Sequence, residues 1–468
     1  AVGKFIPIVE MPIPPKPADI DTNRDSEMSY RRAAAEAHNI NAQAFKKSCR
    51  TRMTMNAVNV FKNKEKFYIP WSFDYRGRAY PIPAFLTPQD TDFGKSLLKF
   101  HNHGAVTYDA KEWLAFQVAT SYGLDKATMR ERQEWVQNNL VRIARIAEDP
   151  IGALPEWEQA EEPWTFLAAC DEYYHCVIAE TRLTTNLPVA VDATCSGLQI
   201  LSGLCRCAGT AELVNVLPSD KPQDAYKVIA EEAKPHVPEH IRPYMDRKTT
   251  KRTVMTVPYN AKPFSNRGYI REALKEKGIE IEKDDLTAVV KAVRDAMNKI
   301  VPGPMRVMKW IEKEVAGCID RGAKSITWVT PSGFVVTQKL MKKDVQTINL
   351  QLLGRCQIDV ADGETNEVDK NHHKNATAPN LIHSLDGSLL ALSSIRFNNP
   401  LAVIHDSVLC RAGDMYTLSS IVRETYMHLF AENDYLIDWA NQIGAESEPP
   451  IIGTLEPSSV IESTYFFC

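Results

Sequence analysis

LPVAVDATCSG at residues 187–197 and LAVIHDSVLC at residues 401–410 decide how this chain is read. In each, a short apolar run with β-branched residues runs up to an aspartate, Asp192 in the first and Asp406 in the second. Runs of this length and composition read as buried strands, so each carboxylate is expected at the end of one. The plain alternative is an Asp that caps a turn. Two such carboxylates serving one cluster of phosphates hold two Mg²⁺ ions about 3.5–4 Å apart, the arrangement for in-line phosphoryl or nucleotidyl transfer.

What lies between them favours phosphate chemistry. In RKTTKRTVMTVPYN, residues 247–260, Arg247, Lys251, Met255 and Tyr259 recur every four positions. That spacing sets them on one helix face. A guanidinium, an ammonium and an aromatic ring in this order match a triphosphate followed by its base. The alternative is a surface helix whose Met and Tyr face the core. Pro258 restricts Val257 and removes a helical hydrogen bond, so the helix should end or kink there and leave Tyr259 at a hinge. Further along, ATAPNLIHSLDGS (376–388) sets His383 after an apolar pair and before a Ser-Leu-Asp-Gly turn. Such a His is either a satisfied core residue or a contact to a ribose hydroxyl, the group that separates RNA from DNA building blocks.

The remaining chain frames this centre. At 468 residues it can bury a large core and should hold more than one structural unit. No apolar stretch approaches the ~20 residues that cross a bilayer, and the Pro-rich start lacks the apolar centre of a signal peptide. Ten cysteines without a C-x-x-C pair read as thiols in a reducing compartment. The net charge of -4 excludes a chain that is basic all over. Local basic runs at 31–66 and 242–252 still allow nucleic-acid binding. Helical patterns cover 25–64, 110–147, 164–180, 195–235, 284–315 and 413–431, the 284–315 one broken at Pro302-Gly303-Pro304. ITWVTPSGFVVTQ at 326–338 alternates like two strands about a turn. The fold class is therefore α+β, with a small antiparallel platform.

FDYRGR, DATCSGLQ, RKTTKRTVMTVPY, APNLIHSLDGS and IHDS, in this order, resemble the single-subunit, bacteriophage-T7-like DNA-directed RNA polymerases, phage or mitochondrial, from about residue 25 to the end. VNVLPSDKPQDAY, WVTPSGFVV, QTINLQLLG and the tail Tyr465–Cys468 are similar to that family too. The resemblance implies a right-hand fold. A leader and partial thumb would cover 1–64. The palm would span 65–208, and the fingers 209–384 with a promoter-reading hairpin at about 335–360. The second part of the palm and the tail would span 385–468. It also implies templated RNA synthesis from rNTPs, with a DNA template and promoter, an RNA transcript and two Mg²⁺ ions. No membrane is involved, and the setting would be the cytoplasm of an infected host or an organelle.

Residue by residue, the resemblance makes Asp192 and Asp406 the metal-binding carboxylates, with the carbonyl of Ala193 a further ligand. Arg247 and Lys251 would hold the triphosphate, Lys251 also protonating the leaving pyrophosphate. Tyr259 would close over the nascent pair and, with His383, sense the 2′-OH. Tyr226 matches a residue near the nucleotide. Asp74, Arg76 and Arg78 match an element near the template and hybrid, and Asn349, Arg355, Gln357 and Asp359 match base-reading positions. The chain departs at Asn260, where the family usually has Gly, and at Pro258. It also lacks the family's N-terminal domain and first part of the thumb, so a fragment, a nicked product or a separately encoded half is expected, with an N-terminal portion as partner. The alternatives are a family-A-like DNA polymerase and a catalytically inactive DNA-binding relative. The DNA enzymes usually carry a Glu five residues after the first Asp that blocks a 2′-OH. Gly197 stands there and is read as leaving room.

Overall fold

The computed structural model describes residues 10–350, 356–432, 434–450 and 452–467. The chain folds as two compact units. The first comprises the segment up to Ser72, Pro81–Val189 and Cys410–Gly413. The second comprises Phe73–Tyr80, Ala190–Leu409 and Asp414–Cys468. Among the described residues, no helix is long and apolar enough to cross a membrane.

The first unit is helical. Helix α1 (Arg24–Phe61) starts where Asn23 accepts from the amides of Asp25 and Ser26, the capping that exposed first-turn donors require. It buries only Ala37, Ser48 and Thr54 among its 38 residues, so its basic run is a solvated surface. Arg50 reaches from it to Asp90 at 2.7 Å, a fully buried carboxylate that also accepts from the Leu86 amide. The core of the unit is α2 (Tyr108–Tyr122), α3 (Met129–Asn138), α4 (Leu140–Glu148) and α5 (Pro163–Tyr173). Thr128 and Glu131 close a capping box on α3, and Pro163 opens α5 at a position where its missing N–H costs nothing.

Most residues of a three-stranded sheet belong to the second unit. Strand β1 (Pro188–Asp192) lies at one edge and runs directly into α6 (Ser196–Cys205), all ten residues of which are buried. Helices α7 (Ala225–Ala233), α8 (Arg247–Thr256), α9 (Lys283–Ile300) and α10 (Pro302–Asp320) follow. The expected break at Pro302 is the boundary between α9 and α10. Strands β2 (Ile326–Val329) and β3 (Val335–Gln338) pair about the Pro-Ser-Gly turn, with Trp328 opposite Val336. A long two-stranded hairpin, β4 (Met341–Leu350) with β5 (Cys356–Val368), comes next. Its two strands overlap most of the expected 335–360, while Val335–Gln338 is paired with β2.

Helix α11 (Lys370–Arg396) then runs for 27 residues, with Pro379 inside it. The Ser-Leu-Asp-Gly segment expected as a turn is part of this helix. Gly387 serves a close approach instead of a turn: a Cβ there would lie 2.8 Å from the carbonyl oxygen of Gly77. The base of the β4–β5 hairpin is tied to α11 by a buried network. Asn380 Nδ2 donates to Gln338 Oε1 at 2.6 Å, Gln338 Nε2 donates to Thr377 Oγ1 at 2.8 Å, and the Leu340 amide donates to His373 Nε2 at 3.0 Å. Strands β6 (Leu401–Ile404) and β7 (Ser407–Arg411) complete the sheet in the order β6–β7–β1. Helix α12 (Met415–Ala431) covers the sequence expected to be the last helix, and α13 (Tyr435–Ile443) follows it.

Candidate active site

Asp192 is the last residue of β1 and is exposed. Asp406 does not end a strand; with His405 it forms the two-residue turn between β6 and β7, and His405 takes a left-handed conformation there (φ +57°). β6 is half-buried rather than buried. The two aspartates are nonetheless brought to one end of the sheet. The Ala193 amide donates to the Asp406 carbonyl at 3.3 Å, and Ser407 Oγ donates to the Val191 carbonyl at 3.1 Å. The C-terminal tail pins the loop after β1. Thr194 Oγ1 donates to the Tyr465 carbonyl at 2.7 Å, Ala193 bridges to Phe467, and Gln199 Nε2 reaches the Phe466 carbonyl at 2.9 Å. Cys468 lies outside the described residues. Among the described residues no group of three or more His, Cys, Asp or Glu side chains is placed to hold a metal. The groups expected to bind metal, two carboxylates and a carbonyl, are hard oxygen ligands of the type Mg²⁺ takes.

Helix α8 ends at Thr256 and tightens into a 3₁₀ turn, Val257–Tyr259, as Pro258 requires. Asn260 then takes the left-handed conformation (φ +63°), which Asn tolerates better than most residues. Its Nδ2 donates to the Asn375 carbonyl on α11. The tightened turn lays Tyr259 against the start of α6. Tyr259 Oη and Ser196 Oγ are 3.1 Å apart, and the Tyr259 ring stands 4.6 Å from the His383 ring. Gly197 therefore has no open space. A Cβ there would meet Tyr259 Oη at 3.1 Å and Pro258 Cβ at 3.2 Å, so these two side chains fill the volume that the sequence reading left empty. Burial, ahead of the charges of Asp386 and Asp406, raises the Tyr259 phenol, which keeps it a hydrogen-bond donor.

His383 is held by a turn from another part of the unit. Arg76 Nη1 lies 2.5 Å from His383 Nδ1, and an arginine only donates, so the neutral ring carries its proton on Nε2. Arg76 is itself fixed by Asp74 at 2.6 Å and reaches Tyr80 Oη at 3.3 Å. Next to it, Arg78 makes a two-pronged contact with Asp386 in which the side chains are 11% and 3% exposed. Burial raises the Asp386 carboxyl and Arg78 pulls it back; both oxygens accepting from one guanidinium is the geometry of a charged pair. Asp386 and Asp406 line one small cavity with Ala193 and Ser196. The polar atoms of Arg76 and Arg78 are thus turned inward to protein partners.

Burial, ahead of Arg78, Arg76 and His405, pushes His383 down to about 2. The unfolded chain takes up that proton near pH 6.5 and the folded one does not. Stability from this source is fully present above pH 6.5 and is lost as the pH falls below it, at ~1.4 kcal/mol per pH unit. Between pH 7 and pH 5.5 the wild-type chain should lose roughly 1 kcal/mol more than His383→Gln. Urea denaturation of both at the two pH values checks this, and equal losses would count against a neutral buried imidazole.

The basic face of α8 is anchored on α7. Asp224, which caps α7, accepts from Arg247 Nε at 2.7 Å, and the Arg247 guanidinium lies 5.6 Å from the Tyr226 ring centroid. Tyr226 is buried, and burial ahead of its contact with Cys195 raises its phenol. Arg247 is thereby linked through Tyr226 to the loop that follows Asp192. Lys251 and Met255 lie on the same helix, Met255 41% exposed.

Asn349, Gln357 and Asp359, three of the positions expected to read bases, lie on β4 and β5. Asn349 pairs with Gln357 and Thr347 with Asp359, whose Oδ1 accepts from Thr347 Oγ1 at 2.7 Å. Arg355 lies outside the described residues. Asp224, Cys195, Ser196, Tyr80 and Asp386 escaped the sequence reading. For Asp224 the signal was an Asp at a helix start; for Asp386 it was an acidic residue opposite no local base.

The sequence model of the DNA-dependent RNA polymerase family matches residues 105–452. The chain belongs to this family. Among curated proteins, this family member is 27% identical to the DNA-directed RNA polymerase of Enterobacteria phage K11, over 100% of its own length and 59% of the relative. It is 30% identical to DNA-directed RNA polymerase 2, chloroplastic/mitochondrial, of Arabidopsis thaliana, over 100% and 49%. It is 27% identical to T7 RNA polymerase of Escherichia phage T7, over 99% and 61%. The polymerase-family chain thus spans about half to three fifths of these relatives.

Proposed function

We propose that this chain is the catalytic part of a T7-like DNA-directed RNA polymerase, adding ribonucleotides to an RNA 3′-OH on a DNA template. The observation that carries the reading is the convergence of Asp192, Asp406, Tyr259 and His383 at one end of one sheet. In this reading 1–64 is the leader and partial thumb, 65–208 and 385–468 the palm, and 209–384 the fingers. Asp192, Asp406 and the Ala193 carbonyl would hold Mg²⁺. Bound there, the ions would neutralise phosphate charge and orient the reacting oxygens.

Arg247 and Lys251 bind the triphosphate. Asp224 keeps the guanidinium aimed and the Tyr226 ring supports it, so the phosphate displaces water rather than ordering a free side chain. Lys251 supplies a proton to the departing pyrophosphate. Tyr259 stacks on the incoming base and turns about the Asn260 hinge. His383, neutral with its proton on Nε2, donates to the ribose 2′-OH; Arg76 fixes that tautomer. Asp74, Arg76 and Arg78 form the wall past which template and hybrid run. The β4–β5 hairpin, with Asn349, Arg355, Gln357 and Asp359, reads promoter bases for the longer protein.

Sugar choice tests this assignment. Tyr259→Phe keeps the ring on His383 and loses the hydroxyl that meets Ser196. The variant should retain most rNTP addition and accept dNTPs about 10-fold better relative to rNTPs, the size of one lost hydrogen bond, ~1.4 kcal/mol. Primer extension with each nucleotide set measures the ratio. An unchanged ratio would move discrimination away from the Tyr259–His383 pair.

A further inference from the structure

Cys205 ends α6, Arg206 turns through a left-handed conformation (φ +46°), and Cys207 follows. Cys205 is buried and Cys207 half-buried. Both sulfurs crowd onto Gly303 in the first turn of α10. A Cβ built there would lie 3.0 Å from Cys207 Sγ and 3.1 Å from Cys205 Sγ. Thr210 Oγ1 donates to Cys207 Sγ at 3.3 Å. Arg206 is turned elsewhere, its Nη2 donating to the Phe430 carbonyl at 3.0 Å. The segment is clamped from behind by the amides of Gly453 and Leu455, which donate to the carbonyls of Cys205 and Arg206.

A half-buried sulfur that accepts from a hydroxyl, with a second sulfur crowded onto the same glycine, is an arrangement suited to thiol–disulfide chemistry. We propose that Cys207 is a thiolate nucleophile which hydroperoxides oxidise and which Cys205 then resolves into an intramolecular disulfide. The hydrogen bond from Cys205, ahead of those from Thr210 and Gly303, holds the Cys207 thiol down at about 5 against burial. The reciprocal contact and burial push Cys205 up, so it keeps its proton. A thiolate in such a field is the reactive form. It attacks a peroxide oxygen. An S–O bond forms, the O–O bond breaks, and hydroxide leaves to become water. Cys205 Sγ then attacks the sulfenic sulfur, the S–S bond forms, the S–O bond breaks, and the proton of Cys205 leaves with the oxygen as a second water. The thiol pair loses two electrons and the peroxide gains them.

The chain contains its own diagnostic. Trypsin cuts after Arg206, which separates peptide 183–206 from peptide 207–227 unless a disulfide joins them. The full chain is treated with stoichiometric H₂O₂, remaining thiols are blocked, and the digest is analysed by mass spectrometry. A linked 183–206/207–227 pair is expected, reversed by dithiothreitol. Peptide 183–206 also contains Cys195, so Cys205→Ser should abolish the link while Cys195→Ser keeps it. Alkylation of Cys207 in the untreated wild-type chain should change less than about twofold between pH 6 and pH 8. An ordinary thiol rises on the order of 75-fold over that range, given a pKa near 8.5. Labelling of Cys207 that climbs like an ordinary thiol, or peroxide treatment that gives no link, overturns the assignment. A link that survives Cys205→Ser overturns it as well.

Discussion

Asp192→Asn and Asp406→Asn are each expected to slow nucleotide addition on a primed template by ~1000-fold or more, with template affinity changed less than about twofold. Each substitution keeps the shape of the side chain and removes one negative charge from the sheet end where the Ala193 amide meets the Asp406 carbonyl. Charge stabilisation lost there is worth several kcal/mol, and ~4 kcal/mol corresponds to about 10³ in rate. Asp192 ends an exposed strand position and Asp406 sits in a turn, so neither substitution disturbs a packed core. Single-turnover extension gives the rate and template anisotropy gives the affinity. Either variant extending at a tenth of the wild-type rate would remove that aspartate from the chemistry.

The second large effect is on stability. Arg78→Met should destabilise the second unit by about 3–5 kcal/mol, because it strands the Asp386 carboxylate in a site where only 3% of it is exposed. The double variant Arg78→Met/Asp386→Leu should recover most of that loss, since removing both charges leaves no unpaired group. Hydrogen exchange in peptides from 370–396 reports the effect where it arises, on the helix that carries both His383 and Asp386. If Arg78→Met costs less than about 1 kcal/mol, or the double variant is no better than the single, the pair is not the buried charge contact described above.

Local patterns revealed part of this site and hid the rest. A short apolar run rich in β-branched residues exposed β1, and four-residue spacing exposed the face of α8 that ends in Tyr259. Proline chemistry also located the end of α8, because its effect is covalent and independent of tertiary context. The Asp-Gly in front of Ser388 misled, since glycine has two uses. Here it admits the Gly77 carbonyl against a helix instead of turning the chain, and only the partner segment reveals which. Gly197 misled for a similar reason: its empty volume is taken by Tyr259, a residue far along the chain. Asp386, Asp224 and Ser196 went unread because their meaning lies in Arg78, Arg247 and Tyr259, contacts that no spacing rule predicts. Residues 335–338 and 341–350 are almost continuous in sequence, yet β3 pairs with β2 and β4 with β5, and only the partner strands distinguish the two hairpins.

We propose that this chain copies a DNA template into RNA at the Asp192–Asp406 centre. The most direct measurement is addition of a single nucleotide by the 468-residue chain to an RNA primer annealed to DNA, in Mg²⁺, with one template base varied. With dA at that position the account predicts addition of UMP, and with dC addition of GMP. Either product should form with rNTPs in clear preference to dNTPs, and neither should form with Asp192→Asn. Addition that ignores the template base, favours dNTPs, or survives the loss of Asp192 would contradict it.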